Sequence, residues 1–257
     1  MGLFNDLYKY REFLKTNVKK DIRGKYKGSF LGVLWSFINP LLSVLVYAIV
    51  FSQIMRFDID NYVIYLITGV LPWTFFTSSI NMGMTSILYN ASIIKKVYFP
   101  RSILPISSVS SCLVNFLISC LVILVFVLFS GIGITIHLLW LPLIALVQYF
   151  LCLGIVFFLS AVEIFVRDLE HIINFVLSMA FYVTPILYKA EQVPKNLRFI
   201  LKLNPMAYII DAYRDIFYYG VMPDISSLLL VFLVSIIVMM LGYKVFERLQ
   251  RGFAEEV

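Results

Sequence analysis

Five long stretches without an acidic or basic side chain set the plan of this chain, and a charged amphipathic segment precedes them. Leu3, Leu7, Tyr10, Leu14, Val18 and Ile22 recur at three- and four-residue steps, while Lys9, Arg11, Glu12, Lys15, Lys19 and Lys20 mostly take the other faces. This pattern predicts an amphipathic helix over 1–29 with a basic side, suited to lie in the headgroup plane or to pack on a partner. The uncharged runs follow: 28–55, 61–94, 102–162, 172–188 and 225–243. The third covers 61 residues. As a single helix it would be about 90 Å long against a hydrocarbon core of about 30 Å, so it holds two spans. Gly131-Ile-Gly133 is the turn between them.

The expectation is an all-α integral membrane protein with six transmembrane helices, at about 31–55, 61–88, 103–130, 136–165, 171–188 and 225–246. These make up a transmembrane domain over 30–246, followed by a short charged tail over 247–257. Asn39-Pro40 implies a kink in the first span, and Gly69 and Pro72 weaken the second.

Two polar interruptions stand out. The first is the island 92–101, with Lys95, Lys96 and Arg101 between long uncharged runs. Pro100 disfavours helical geometry at Phe99, so a short helix entering from Ser92 ends there. The second spans 192–220. Asn204-Pro205 reads as a cap followed by proline at the first helical position, and Gly220 as a terminator. Met206, Ile209, Ile210, Tyr213 and Phe217 form its apolar face, with Asp211, Arg214 and Asp215 elsewhere. A second short helix covers 192–202, so this is a helical hairpin lying on or dipping into the outer face. Glu163 and Arg167, four residues apart with the acid first, are expected to pair.

Composition agrees. The chain is 61% hydrophobic and 14% charged, against about 45–50% and about 25% in soluble domains. No soluble domain is left to carry a nucleic-acid patch. Cys112, Cys120 and Cys152 lie in apolar spans and read as buried hydrophobes. Residues 1–29 lack the apolar core of a signal peptide. With the N-terminus inside, the cytoplasmic pieces hold 15 of the 21 Lys and Arg. The positive-inside rule therefore gives N-in, C-in, with the island cytoplasmic and the Asn90-Ala91-Ser92 sequon discounted.

No phosphate-binding loop of the G-x-x-x-x-G-K-[ST] type occurs. His137 and His171 lack metal-ligand spacing. Aromatic residues sit mid-span or beside kinks: Trp35, Tyr47, Trp73, Phe75, Phe76, Phe181 and Tyr182. Their faces suit sugar C–H surfaces, and they equally suit helix packing or lipid contact.

Gly28-Ser-Phe-Leu-Gly-Val-Leu-Trp-Ser-Phe-Ile-Asn-Pro40, the island Ile94 to Pro105, Arg167-Asp168, Thr184-Pro-Ile-Leu-Tyr188, Leu203 to Met206 and Tyr213-Arg-Asp215, taken in order, resemble the ABC-2 type permeases. The branch is that of polysaccharide exporters in O-antigen, teichoic acid and capsule pathways. The resemblance covers essentially the whole chain. It implies an inner-membrane complex of two permease chains with two copies of a separate ATPase, which carries the ATP and Mg; this chain would hold no cofactor.

By the same resemblance 92–101 is the coupling helix, with Ser92, Lys95, Lys96, Val97, Tyr98, Phe99 and Arg101 facing the ATPase. Residues 1–29 are the interface helix. The hairpin 192–220 carries extracytoplasmic gate helices, with Asn204, Pro205, Tyr213, Arg214 and Asp215. The first and fifth spans would line a channel in which Trp35, Tyr47, Trp73, Phe76, Phe181 and Tyr182 meet the glycan. Arg23, Lys25 and Lys27 would attract the pyrophosphate of a lipid-linked glycan or anchor the inner face. Two other readings stay open: an ABC-2 exporter of a drug or lipid, and an ATPase-independent channel or transporter.

Overall fold

The structure, a computed structural model, describes residues 7–24, 32–50 and 59–253. Lys25, Lys27 and the outer end of the expected first span lie outside the described residues. All regular structure among the described residues is helical. The longer helices are α1 (Arg11–Gly24), α2 (Trp35–Ala48), α3 (Tyr62–Met84), α4 (Ile103–Phe129), α5 (Leu141–Val162), α6 (Leu169–Val183), α7 (Arg198–Leu203), α8 (Pro205–Arg214) and α9 (Ile225–Leu249). Among the described residues, four segments are long and apolar enough to cross a membrane: Tyr62–Met84, Ile103–Phe129, Ile136–Val162 and Ile225–Gly252.

The centre of the bundle is α3. It packs against α2, α4, α5, α6 and α8, and 72% of its most apolar stretch is buried, against 22% for α9. Pro72 sits inside α3 without ending it. A proline forfeits one backbone bond and crowds the preceding turn, a penalty that tertiary packing offsets here. Buried Gln148 of α5 donates to the Pro72 carbonyl at 2.8 Å.

The tightest crossing is between α5 and α9. A Cβ on Gly242 would lie 2.1 Å from the Gly154 carbonyl oxygen, and one on Gly154 would lie 2.5 Å from the Met239 backbone nitrogen. Only glycine permits such an approach, which helices in lipid exploit for dispersion contact. Outward faces of α4 and α9 expose Leu121, Leu128, Leu229, Leu233 and Leu241, as lipid contact requires.

The expected turn between the third and fourth spans is present, with Gly131 and Gly133 both at positive φ, 79° and 82°. The apolar residues Leu7, Tyr10 and Leu14 of the N-terminal segment pack onto the chain's own core, and α1 lies along α4. Its basic side, including Lys9, Lys15, Lys19 and Lys20, is exposed.

Two local expectations fail. The island forms helix only over Ala91–Ile94. Residues 95–97 turn and 98–100 are irregular, so the helix stops well short of Pro100. Glu163 and Arg167 do not pair. The described ion pairs are Lys15–Glu12 and Arg214–Asp211. Helix α5 ends at Val162 and the chain turns, so the four-residue helical spacing that would join them is lost. Glu163 is instead buried, with Oε2 unpartnered.

Candidate functional site

At one end of the bundle, α6 stops at Val183 and Thr184 is extended (φ −82°, ψ 138°). The segment Pro185-Ile-Leu-Tyr188 has left the helix, so its carbonyls need other donors. Three side chains supply them. Arg214 of α8 donates through Nη1 to Pro185 O at 2.6 Å and through Nη2 to Ile186 O at 2.8 Å. Tyr62 and Tyr65 of α3 donate their hydroxyls to Leu187 O and Tyr188 O, each at 2.8 Å. Four consecutive carbonyls are thus satisfied by two helices. A buried backbone group without a partner is costly, and in lipid more so.

Arg214 is itself buried at 2% exposure. Its guanidinium carbon stands 3.7 Å from the centroid of the Tyr65 ring, close enough for a strong cation–π contact. Asp211 lies 3.6 Å from Nη1. A Cβ on Gly69 would come within 3.1 Å of Nη2, so glycine at that turn of α3 leaves room for the guanidinium. The sequence expectation placed Arg214 off the apolar face; the structure buries it.

The predicted cap is present: Asn204 Oδ1 accepts from Met206 N at 3.0 Å, and its Nδ2 donates to Thr184 Oγ1 at 2.8 Å. Pro205 begins α8. Tyr213 is fully buried against Phe116, centroids 5.4 Å apart. Asp215 follows α8, its carboxyl pushed up to about 6 by burial and by the charge of Asp211. Gly220 ends the segment at φ 64°. Tyr218 donates to Asp60 O at 2.6 Å, tying this segment to the start of α3.

The structure brings most of the predicted aromatics together. Tyr47, Phe181, Trp73 and Phe76 form a continuous series with centroid separations of 5.8, 6.1 and 5.4 Å. Tyr182 joins edge-on to Phe181 at 5.3 Å and is 64% exposed. Trp73 and Phe76 are buried within the chain, and Trp35 is exposed on α2. Phe75 points to the opposite side of α3 and stacks on Phe116 at 5.1 Å.

At the other end lie α1, the island, the α5–α6 turn and the end of α9. Phe13 meets Phe99 at 4.9 Å, and Lys20 donates to Asn90 Oδ1 at 3.2 Å. Phe99 is buried, whereas Tyr98 is 95% exposed and Val97 57%. Ser92, Lys95 and Lys96 are exposed, and Arg23 is exposed on the last turn of α1. Arg101 turns inward and donates to the Gln250 carbonyl.

Sequence reasoning missed Tyr62, Tyr65 and Gly69 as the partners of Arg214, and it missed the C-terminal aromatic Phe253, which is fully buried. An arginine beside an apolar helical face is a signal of burial. Nothing in the local pattern names the tyrosines that receive it.

A bundle of membrane-length helices with two such polar ends is a multi-pass membrane protein. The ABC-2 type transporter family matches residues 12–218. The chain is 37% identical over 245 residues to the O-antigen export system permease protein RfbA of Klebsiella pneumoniae, covering 95% of this chain and 94% of that protein. It is 34% identical over 257 residues to the O-antigen export system permease protein RfbA of Myxococcus xanthus, covering 99% of each. The chain belongs to the ABC-2 type transporter family and is a multi-pass inner-membrane permease.

Proposed function

We propose that this chain is the permease subunit of an ABC transporter that exports a lipid-linked polysaccharide of the O-antigen class. The observation that carries the reading is the end-to-end match to relatives named as O-antigen export permeases. Two copies of the chain work with two copies of a separate ATPase, which holds ATP and Mg.

The chain crosses six times, N-in and C-in. The four membrane-length segments are joined by α2 and α6. Helix α6 has 15 residues and a length of about 22 Å, short of the core thickness of about 30 Å. The non-helical 184–188 segment continues its path, and Arg214, Tyr62 and Tyr65 make that backbone tolerable in a dry setting. The hairpin around α7 and α8 is re-entrant at the outer face. The exposed aromatic Tyr182 and the row behind it offer stacking surfaces to sugar rings as they pass.

The exposed part of the island, Ser92, Lys95, Lys96, Val97 and Tyr98, faces the ATPase. Nucleotide-driven motion of the partner pushes there. Arg23, with Lys25 and Lys27, draws the anionic pyrophosphate of the lipid carrier to the inner face.

The test is genetic and chemical. Deleting the gene leaves the cell surface without the polysaccharide, which accumulates on its lipid carrier inside; restoring the gene restores the surface glycan. Unchanged surface glycan in the deletion strain overturns the reading.

A further inference from the structure

The last described residues are not a loose tail. Phe253 is fully buried. Its ring lies 5.4 Å from Phe246 of α9 and 6.4 Å from Phe165 in the α5–α6 turn. The Arg101 guanidinium sits 5.7 Å from the same ring and also donates to the carbonyl of Gln250. One aromatic side chain therefore touches three separate elements: the island, the α5–α6 turn and the end of α9. Arg101 is committed to this contact, which leaves the exposed face of the island to Ser92, Lys95, Lys96, Val97 and Tyr98.

The island is held unevenly. Phe99 is fixed by Phe13, and Arg101 by Phe253 and Gln250. Between the segment just before α1, the island and the end of α9 lies a cavity of about 320 Å³ whose lining includes Tyr10, Tyr98, Pro100, Tyr243, Glu247 and Gln250. A close-packed contact transmits displacement, and free volume absorbs it. A push on the island is thus taken up toward the cavity and passed on at Phe253.

We propose that Phe253 is a positioning residue that makes the island and the α5–α6 turn move together, so that a push on the first reaches α6. Helix α6 leads into the 185–188 segment held by Arg214, so this contact lies between the island and the opposite end of the bundle. The proposal rests on the ATPase-driven reading above. It adds a residue beyond the island to the coupling machinery and frees Arg101 from direct contact with the ATPase.

The experiment uses the complete complex, purified with its ATPase and returned to lipid vesicles, with ATP hydrolysis and glycan export measured together. Phe253→Ala removes the ring and Phe253→Leu keeps most of the volume. Phe253→Ala keeps the ATPase bound and hydrolysing while export per ATP falls about fivefold, within the usual range of coupling between separate sites. Phe253→Leu recovers most of that ratio. Phe165→Ala gives the same loss, and the double variant is no worse than either single one. An unchanged export-to-ATP ratio in Phe253→Ala overturns the proposal. So does an equal fall of hydrolysis and export in both Phe253 variants, which marks a merely structural residue. If no ATPase accompanies the parent chain, the ATPase-driven reading itself fails, and the proposal with it.

Discussion

The Arg214 guanidinium carbon lies over the Tyr65 ring, 3.7 Å from its centroid, while its two terminal nitrogens hold the carbonyls of Pro185 and Ile186. This contact joins α8, the central helix α3 and the exit of α6 in one place. The planar fork is what the geometry needs, since two adjacent carbonyls must be reached at once.

Arg214→Ala therefore leaves buried carbonyls without donors, and the expected loss is about 3 kcal/mol, in the range for breaking a buried charged hydrogen bond. Arg214→Lys does not restore it, because a point ammonium cannot span both carbonyls and stack on Tyr65. Thermal unfolding of the detergent-purified variants checks this. A lysine variant as stable as the parent contradicts the assignment.

The α5–α9 crossing gives a second expectation. Gly242→Ala places a Cβ about where the Gly154 carbonyl oxygen already stands. Helices must separate, at a cost of about 1–3 kcal/mol typical of overpacking. Gly131→Ala, at a turn where a Cβ meets open space but φ is 79°, strains only the backbone and costs about 1 kcal/mol. A lower melting midpoint for the first than for the second is the expected order.

Asp215 supplies a pH dependence. Its carboxyl is raised to about 6 by burial and by Asp211, so the folded state holds the proton more tightly than the unfolded chain does. Stability contributed by this group is then greatest in acid and is lost as pH rises toward and through about 6. Asp215→Asn matches the parent near pH 4 and exceeds it at pH 7.5, by about 1 kcal/mol once solvent screening is allowed for. Melting curves at the two pH values decide it; a gap that widens in acid refutes the sign.

Charge reversal on the island separates function from folding. Lys95→Glu with Lys96→Glu alters exposed side chains, so melting should move by less than about 0.5 kcal/mol. Export should fall severely through loss of productive contact with the ATPase. Normal export would remove the island from the coupling machinery.

Much of this was legible in the sequence because charge is so costly in lipid. Runs without Asp, Glu, Lys or Arg located four of the expected spans directly, and the Gly131-Ile-Gly133 turn and the Asn204-Pro205 cap followed from backbone chemistry. The island's position was equally clear, but its helix was overextended, because Pro100 marks where a helix must stop and not how far it runs. Glu163 and Arg167 were paired on spacing alone, which has meaning only inside a helix that in fact ends at Val162. The Arg214 site and the Phe253 contact join residues 28 to 152 positions apart, and no local periodicity encodes such meetings.

The most direct test of export uses inverted membrane vesicles that carry the lipid-linked polysaccharide on their outer, formerly cytoplasmic, leaflet. With this chain and its ATPase present, added ATP moves the glycan into a lumen protected from glycosidase, and vesicles without the chain show no protection. Protection that appears without ATP, or without the chain, would contradict the account.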